Sequence, residues 1–283
     1  MTVGFLRLPA LFVLAPLLSQ APYLDPDEQH AIGVLGGLGP YAGLDLVRTL
    51  FDETEAHRDQ EHLPVTLISY PGRIPDRATW IADQDAPSPV PAMVEILRRL
   101  DNAGCAVAGI PCNTAHAPVL FDHLTDALSI EGRSLKLLHI IDAIVAHVTE
   151  VAPEAQRIGV LATSSSIQNR LHEVGLKAAG LEAVRPAPTV QETLVQPTIY
   201  DDTWGLKAQS QPTAWARQNL LDAIDHLKAE GAEAVILGCT ELPLAIPELE
   251  VVGLPMVNST RALARALIRA THPAKLRPVT VAV

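Results

Sequence analysis

Short runs of Val, Ile, Leu and Ala alternate along this chain with longer stretches whose apolar positions recur at helical spacing. That alternation is the pattern of a parallel sheet covered by helices on both faces. The apolar runs predict strands over 31–36, 64–69, 105–110, 136–140, 157–162, 182–185, 233–238 and 255–257. The amphipathic stretches predict helices over 41–56, 88–103, 114–128, 141–150, 166–179, 189–200, 212–230 and 259–271. Pro91 near the start of one helix and Gly104 just past its end follow the usual helix punctuation.

The pattern also repeats. Ile32-Gly33-Val34-Leu35 recurs as Ile158-Gly159-Val160-Leu161. Downstream of each copy an apolar run ends in a cysteine followed by polar residues, Cys112-Asn113-Thr114 in one half and Cys239-Thr240-Glu241 in the other. The thiol stands 80 residues after Ile32 in the first half and 81 after Ile158 in the second. The fold expected is α/β, with two pseudo-symmetric lobes, each a mostly parallel sheet flanked by helices, and a site in the cleft between them. Lobe 1 takes residues 31–140, with 255–273 returning to it, and lobe 2 takes 141–254. Residues 1–30 read as an N-terminal extension or an upstream start-codon choice, a cleaved signal being the lesser reading, because Pro9 and Pro16 interrupt the apolar run from Leu8 to Leu18. The tail, 274–283, carries no periodicity.

Composition narrows the function. With 283 residues and 48% hydrophobic positions the chain can bury a large core. Its 21 basic and 32 acidic side chains give a net charge of −11. With no basic run, nucleic acid is not an expected partner, and no stretch is long and apolar enough to imply a membrane. A small anionic substrate stays compatible, since a cleft can be locally positive on an acidic protein. Three cysteines without a C-x-x-C pair do not form a disulfide framework and fit a reducing cytoplasm.

Cys112 and Cys239 are the candidate catalytic residues. Each falls just past a predicted strand, at the edge where open α/β sheets bind ligands, and where a following helix N-terminus would favour a thiolate or a bound carboxylate. Cys105, inside Cys105-Ala106-Val107-Ala108, reads as a packed core thiol. No metal is expected: Cys112 and His116 could share a helix face, but the remaining ligand candidates lack zinc-like spacing. His116 reads instead as a residue that hydrogen-bonds near the thiol. Gly36-Gly37-Leu38-Gly39-Pro40 lacks the G-x-G-x-x-G spacing of a dinucleotide loop and suits a tight turn whose backbone approaches a small ligand. The repeat-related Thr163-Ser164-Ser165-Ser166 can cap the next helix or touch ligand.

Four blocks together resemble the aspartate/glutamate racemase superfamily, and within it the aspartate racemase branch. They are Ile32 to Pro40, then Arg58-Asp59-Gln60-Glu61-His62 with Ile74-Pro75-Asp76-Arg77, then Pro111-Cys112-Asn113-Thr114-Ala115-His116, and Gly238-Cys239-Thr240-Glu241. The resemblance implies a cofactor-independent, two-base site between two α/β lobes, and a homodimer. It assigns Cys112 and Cys239 as paired acid and base. Asn113, Thr114 and Thr240 would hold the α-carboxylate and amino group, with Ser166 near a hydroxyl contact from the second lobe. Arg77 would grip the distal carboxylate and Leu38 would contact substrate from the glycine loop, while His116 and Glu241 support. Two departures stand out. The family lysine expected early in 189–200 is missing, Thr193 being its approximate counterpart, and the family's Asn-Asn-Pro reads Ser69-Tyr70-Pro71. The catalytic pair is kept while the side-chain pocket is altered.

The reaction expected is therefore amino-acid racemisation of the aspartate or glutamate type. One cysteine removes the α-proton as thiolate and the other protonates the opposite face as thiol. The alternatives on the same fold are a maleate isomerase or hydantoin racemase-like enzyme, and a non-catalytic dicarboxylate-binding protein.

Overall fold

The computed structural model describes residues 30–279. The expected extension over 1–30 lies, but for its last residue, outside the described residues, as does the end of the tail. The first lobe runs β1 (Ala31–Gly36), α1 (Pro40–Asp52), β2 (Val65–Ser69), α2 (Arg77–Ala82), α3 (Val90–Asn102), β3 (Cys105–Gly109), α4 (Pro118–Ile130) and β4 (Lys136–Leu137), followed by α5 (Ile140–Val151). The second runs β5 (Arg157–Leu161), α6 (Ser164–Gln168), α7 (Leu171–Ala178), β6 (Glu182–Val184), α8 (Pro188–Val190), α9 (Gln196–Tyr200), α10 (Ala214–Ala229), β7 (Ala234–Leu237), α11 (Leu242–Ala245), β8 (Glu250–Val251), β9 (Leu254–Asn258) and α12 (Ser259–Thr271).

The strands form two sheets, in the orders β2-β1-β3-β4 and β6-β5-β7-β9-β8, parallel throughout except for the β8–β9 hairpin. This is the expected α/β class. The repeated Ile-Gly-Val-Leu segments are the interior strands β1 and β5, each paired on both sides. Their glycines do equivalent work. A Cβ on Gly33 would come within 3.2 Å of Leu100 Cδ1, and one on Gly159 within 3.0 Å of Leu227 Cδ1. The missing side chain therefore lets α3 and α10 settle closely on their sheets.

The other faces of the two sheets share one core. Ile32 and Val34 of β1 and Ile158 and Val160 of β5 join a continuous apolar layer with Ile144 and Val148 of α5 and Leu263 and Leu267 of α12. At about 1.5–3 kcal/mol for each large aliphatic side chain fully buried, this layer holds the lobes together. The connecting helices cross over. α5 follows β4 yet packs on α7 and β9, whereas α12 follows β9 yet packs on α1, β1 and β3. Of the returning segment 255–273, β9 pairs with β7 inside the second sheet and α12 is the part that lies on the first. Glu53, at the end of α1, anchors α12 through Arg261 (2.6 Å) and Arg265 (2.5 Å).

Several expected elements are shorter or broken, for local reasons. The helix expected over 114–128 begins only at Pro118, because proline holds Ala117 extended (φ −61°, ψ 134°), leaving Asn113–His116 as a separate 3₁₀ turn. The helix expected over 166–179 breaks at Arg170, whose φ is +53°. The one over 189–200 passes through a π-helical turn, Gln191–Val195, between α8 and α9. The strand over 136–140 stops at Leu137, since Ile140 already begins α5. The short elements α2, α11 and β8 have no counterpart among the expected ones. The tail is tied down to Leu276, which bridges Thr54. Among the described residues, no helix is long and apolar enough to cross a membrane.

Candidate active site

β3 lies beside β1 in one sheet and β7 beside β5 in the other, and the chain leaves each at its carboxyl edge. Beyond β3 it passes through Ile110 and Pro111 to Cys112, and beyond β7 through Gly238 to Cys239. Both cysteines are free and buried, and both line one small cavity. Its other walls are Arg77, Asn113 and Thr114 from the first lobe, and Tyr200, Lys207 and Glu241 from the second. The open space is about 10 Å³, roughly one water molecule.

The two thiols occupy unlike surroundings. Cys239 Sγ donates to Glu241 Oε2 at 3.0 Å. Burial, and then the adjacent Glu241 charge, push the Cys239 thiol well above its ordinary range. Glu241 is itself buried, which favours its neutral form. The Lys207 ammonium, 2.8 Å from Oε1, and the bond from Cys239 overcome this and hold the carboxyl below its usual range. Burial works against the charge on Lys207, but the Glu241 carboxylate foremost outweighs it, and the pKa is raised. The ammonium also lies 5.5 Å from the centre of the Tyr200 ring. Cys239 is thus held as the protonated thiol.

Cys112 faces a cation instead. Arg77 starts α2, whose N-cap Asp76 accepts from Thr79 N at 2.8 Å. Its Nη2 donates to the Leu38 carbonyl at 2.9 Å, tying it to the glycine loop, and it lines the same cavity as Cys112. Burial opposes the Arg77 charge; Cys112 and Asp76 reverse that and raise its pKa. Arg77 Nε is buried without a protein partner. The helix N-termini expected behind both thiols are single turns only, Asn113–His116 and Leu242–Ala245. The charges around the sulfurs come from Arg77, Glu241 and Lys207 instead.

Of the residues picked out in the sequence, Cys112, Cys239, Arg77, Asn113, Thr114, Thr240 and Glu241 line the cavity. Thr240 Oγ1 donates across the lobe boundary to the Pro111 carbonyl at 2.9 Å. Three others stand one layer back. Ser166 Oγ is 3.3 Å from Thr114 Oγ1, Leu38 meets the site through its carbonyl, and His116 Nδ1 lies 2.9 Å from the Cys112 carbonyl. Burial, reinforced by His139, drops the His116 pKa to about 3. Its ring is therefore neutral at working pH, and Nδ1–H donates to that carbonyl. Thr193 does not reach the site: it is exposed, and its hydroxyl donates to the Thr189 carbonyl at 2.7 Å.

A lysine does line the cavity, but it is Lys207, seven residues past Tyr200. Lys207 escapes the sequence signals because it lies in an irregular segment with no periodicity, and Tyr200 because it closes a helix as any half-buried aromatic would. Thr163 belongs to the hydroxyl-rich repeat loop; it caps α6 through Ser166 N (3.2 Å) and also lines the cavity. A Cβ on Gly39 would lie 2.8 Å from Glu241 Oε1, so the glycine block makes its close approach to a protein carboxylate. Among the described residues no group of three His, Cys, Asp or Glu is placed to hold a metal ion.

The family described as Asp/Glu/Hydantoin racemase matches residues 35–267. A broad specificity amino-acid racemase of Bacillus subtilis strain 168, RacX, is 24% identical over 248 residues, spanning 84% of this chain and 96% of that one. Among solved structures, an aspartate racemase from Picrophilus torridus superposes with a TM-score of 0.70 at 24% identity, covering 86% of this chain and 94% of its own. An aspartate racemase homologue from Pyrococcus horikoshii OT3 gives 0.65 at 22%, covering 85% and 98%. A glutamate racemase from Francisella tularensis in complex with D-glutamate gives 0.59 at 16%, covering 89% and 84%. At these identities the structural likeness is one of fold.

Proposed function

We propose that this chain, which belongs to the Asp/Glu/hydantoin racemase family, inverts the α-carbon of an acidic amino acid with two cysteines and no cofactor. The observation that carries the reading is the pair of thiols, one from each lobe, on one cavity in opposite electrostatic settings. A two-base inversion needs that asymmetry, because one sulfur must accept a proton while the other has one to give.

In the direction that starts with Cys239 protonated, Cys112 acts as the base, on the same cavity as Arg77. Its sulfur takes the α-proton, and the electron pair of the broken C–H bond moves onto the substrate as carbanion and enediolate. The Cys239 S–H bond then breaks toward the other face of the carbon, forming the new C–H bond and leaving a thiolate. Lys207, poised against Glu241, is the cation nearest that new charge. The reverse substrate meets the exchanged protonation states.

The α-proton beside a carboxylate is a very weak acid, so the site must stabilise the charge that develops. Asn113, Thr114 and Thr240 are the polar groups at hand, and an oriented donor in a closed site is worth roughly 3–4 kcal/mol. Holding the carbon between two fixed sulfurs adds the advantage of proximity. Arg77, with a buried Nε lacking a partner, and Lys207 offer the distal carboxylate a guanidinium fork and an ammonium. Aspartate and glutamate are the substrates this pairing favours. The same reading has the enzyme working as a cytoplasmic homodimer.

Incubation with L-aspartate, L-glutamate and a panel of neutral amino acids in D₂O, followed by NMR, tests the function. Loss of the α-proton signal with appearance of the D-enantiomer is expected for an acidic amino acid. Binding without exchange would instead support a dicarboxylate-binding protein.

A further inference from the structure

His172 is a buried side chain that neither the repeat nor the cysteine motifs single out. It sits in α7 of the second lobe and is 2% exposed. Its Nε2 lies 3.1 Å from Oδ1 of Asn113, in the first lobe. A Cβ on Gly238 would fall 2.7 Å from the same nitrogen and 2.8 Å from Cε1, so the imidazole is flush against that glycine backbone. The ring therefore touches the residue that follows Cys112 and the residue that precedes Cys239.

Asn113 is where this contact matters. A carboxamide shows an acceptor on one side and donors on the other, and only the donor side can serve a carboxylate gaining negative charge. Burial drops the His172 pKa to about 4, so the ring carries one N–H at neutral pH. Its Nδ1 is buried without a partner. A bare lone pair there costs less than an orphaned N–H, which puts the proton on Nε2 as a donor to Asn113 Oδ1. Asn113 Nδ2 is then turned toward Ser259 Oγ, 3.4 Å away at the start of α12, and Asn113 itself lines the cavity.

We propose that His172 is a positioning residue: from the second lobe it fixes the amide of Asn113, so that the first lobe presents an N–H rather than a carbonyl to the substrate carboxylate. The inference rests on the racemase reading for its consequence in turnover, but the contact itself does not. The role needs a neutral imidazole of this length and a glycine at 238. A side chain at 238 would push the ring away from Asn113.

A double-mutant cycle tests it. His172→Phe keeps the ring and removes the donor, and it lowers racemisation kcat/KM about 10- to 100-fold, mainly through kcat, the effect of one misdirected donor. In an Asn113→Ala background the same change costs less than about twofold, because the two residues act as one unit. His172→Gln, which keeps an N–H near Asn113, recovers most of the loss. A His172→Phe enzyme within about twofold of the parent, or an equal loss with and without Asn113, overturns the inference. The same cycle read by thermal unfolding separates this from failure of the racemase reading. Coupled melting temperatures are expected whatever the substrate, and additive ones overturn the contact. A parent enzyme that exchanges no α-proton overturns the reaction alone.

Discussion

Cys239 Sγ lies 3.0 Å from Glu241 Oε2, and the other oxygen of that carboxylate is held by Lys207 at 2.8 Å. One side chain thus holds a thiol in its protonated form and fixes the cation that stands by when the proton leaves. The Glu241 charge is one of the causes that raise the Cys239 pKa. Glu241→Gln removes it and moves the Cys239 pKa down. In a Cys112→Ser background, the pH at which Cys239 alkylates half-maximally with iodoacetamide, read by mass spectrometry, is expected to fall. Turnover of the otherwise wild-type Glu241→Gln enzyme is expected to drop about 10- to 100-fold, as for loss of one oriented charged partner.

Lys207 and Thr193 make a paired test of where the pocket's cation comes from. Lys207→Met leaves the buried Glu241 carboxylate without its counter-charge, so its pKa rises. The change is expected to lower stability by about 2 kcal/mol, discounted from a fully buried pair because Lys207 is partly exposed. It is also expected to raise KM for acidic substrates at least about tenfold. Thr193→Ala, at an exposed position outside the cavity, is expected to change either quantity by less than about twofold. Equal effects of the two variants on KM would contradict the assignment.

Arg77→Lys tests whether the guanidinium shape matters or only its charge. Lysine cannot keep the bond from Nη2 to the Leu38 carbonyl while presenting a fork to a carboxylate. An increase in KM of about 10- to 100-fold for aspartate or glutamate is expected, with a smaller change for a neutral amino acid. Steady-state kinetics on the same panel checks it.

His116 and His172 contribute to the loss of stability in acid. Their folded-state pKa values, about 3 and about 4, lie below the ordinary histidine value of 6.5. Between those limits the unfolded chain binds more protons than the native one. Stability is therefore complete above about pH 6.5 and falls as pH drops toward 3–4, by about 1.4 kcal/mol for each pH unit and each histidine. The melting temperature is expected to fall steeply below pH 6. His116→Gln is expected to melt lower at pH 7 and to show a shallower acid slope. An unchanged slope would mean that His116 is not held neutral by its surroundings.

The strands and thiols were legible in the sequence because their signals are local. Apolar runs such as Ile32 to Leu35, short and followed by glycines, are the pattern of a strand buried on both faces, and a cysteine just past such a run falls near the sheet's edge. What was hidden depends on residues far apart in the chain. Lys207 is an ordinary lysine in an irregular segment until the fold brings it to Glu241, and Thr193 looked equivalent because only its place in a helix could be weighed. His172 reads as one more helical residue until Asn113 and Gly238 close around it. The β8–β9 hairpin turns on Val252 with φ +48° and Gly253 with φ +78°, and a β-branched residue in that conformation gives no warning in the sequence.

The repeat also suggested two equal thiols, and here the structure adds a difference. The blocks Cys112-Asn113-Thr114 and Cys239-Thr240-Glu241 look alike, but Glu241 stands two residues past its cysteine and Thr114 stands two past the other. That single exchange puts an anion beside one sulfur and leaves Arg77 beside the other.

Two-cysteine inversion is checked by Cys112→Ser and Cys239→Ser, each assayed in both directions with the enantiomers of the accepted acidic amino acid in D₂O. The parent enzyme is expected to add one solvent deuteron per inversion, and either substitution to lower inversion at least about 10³-fold in both directions, since paired groups fail as a unit. A single variant that inverts either enantiomer at close to the parental rate would contradict it.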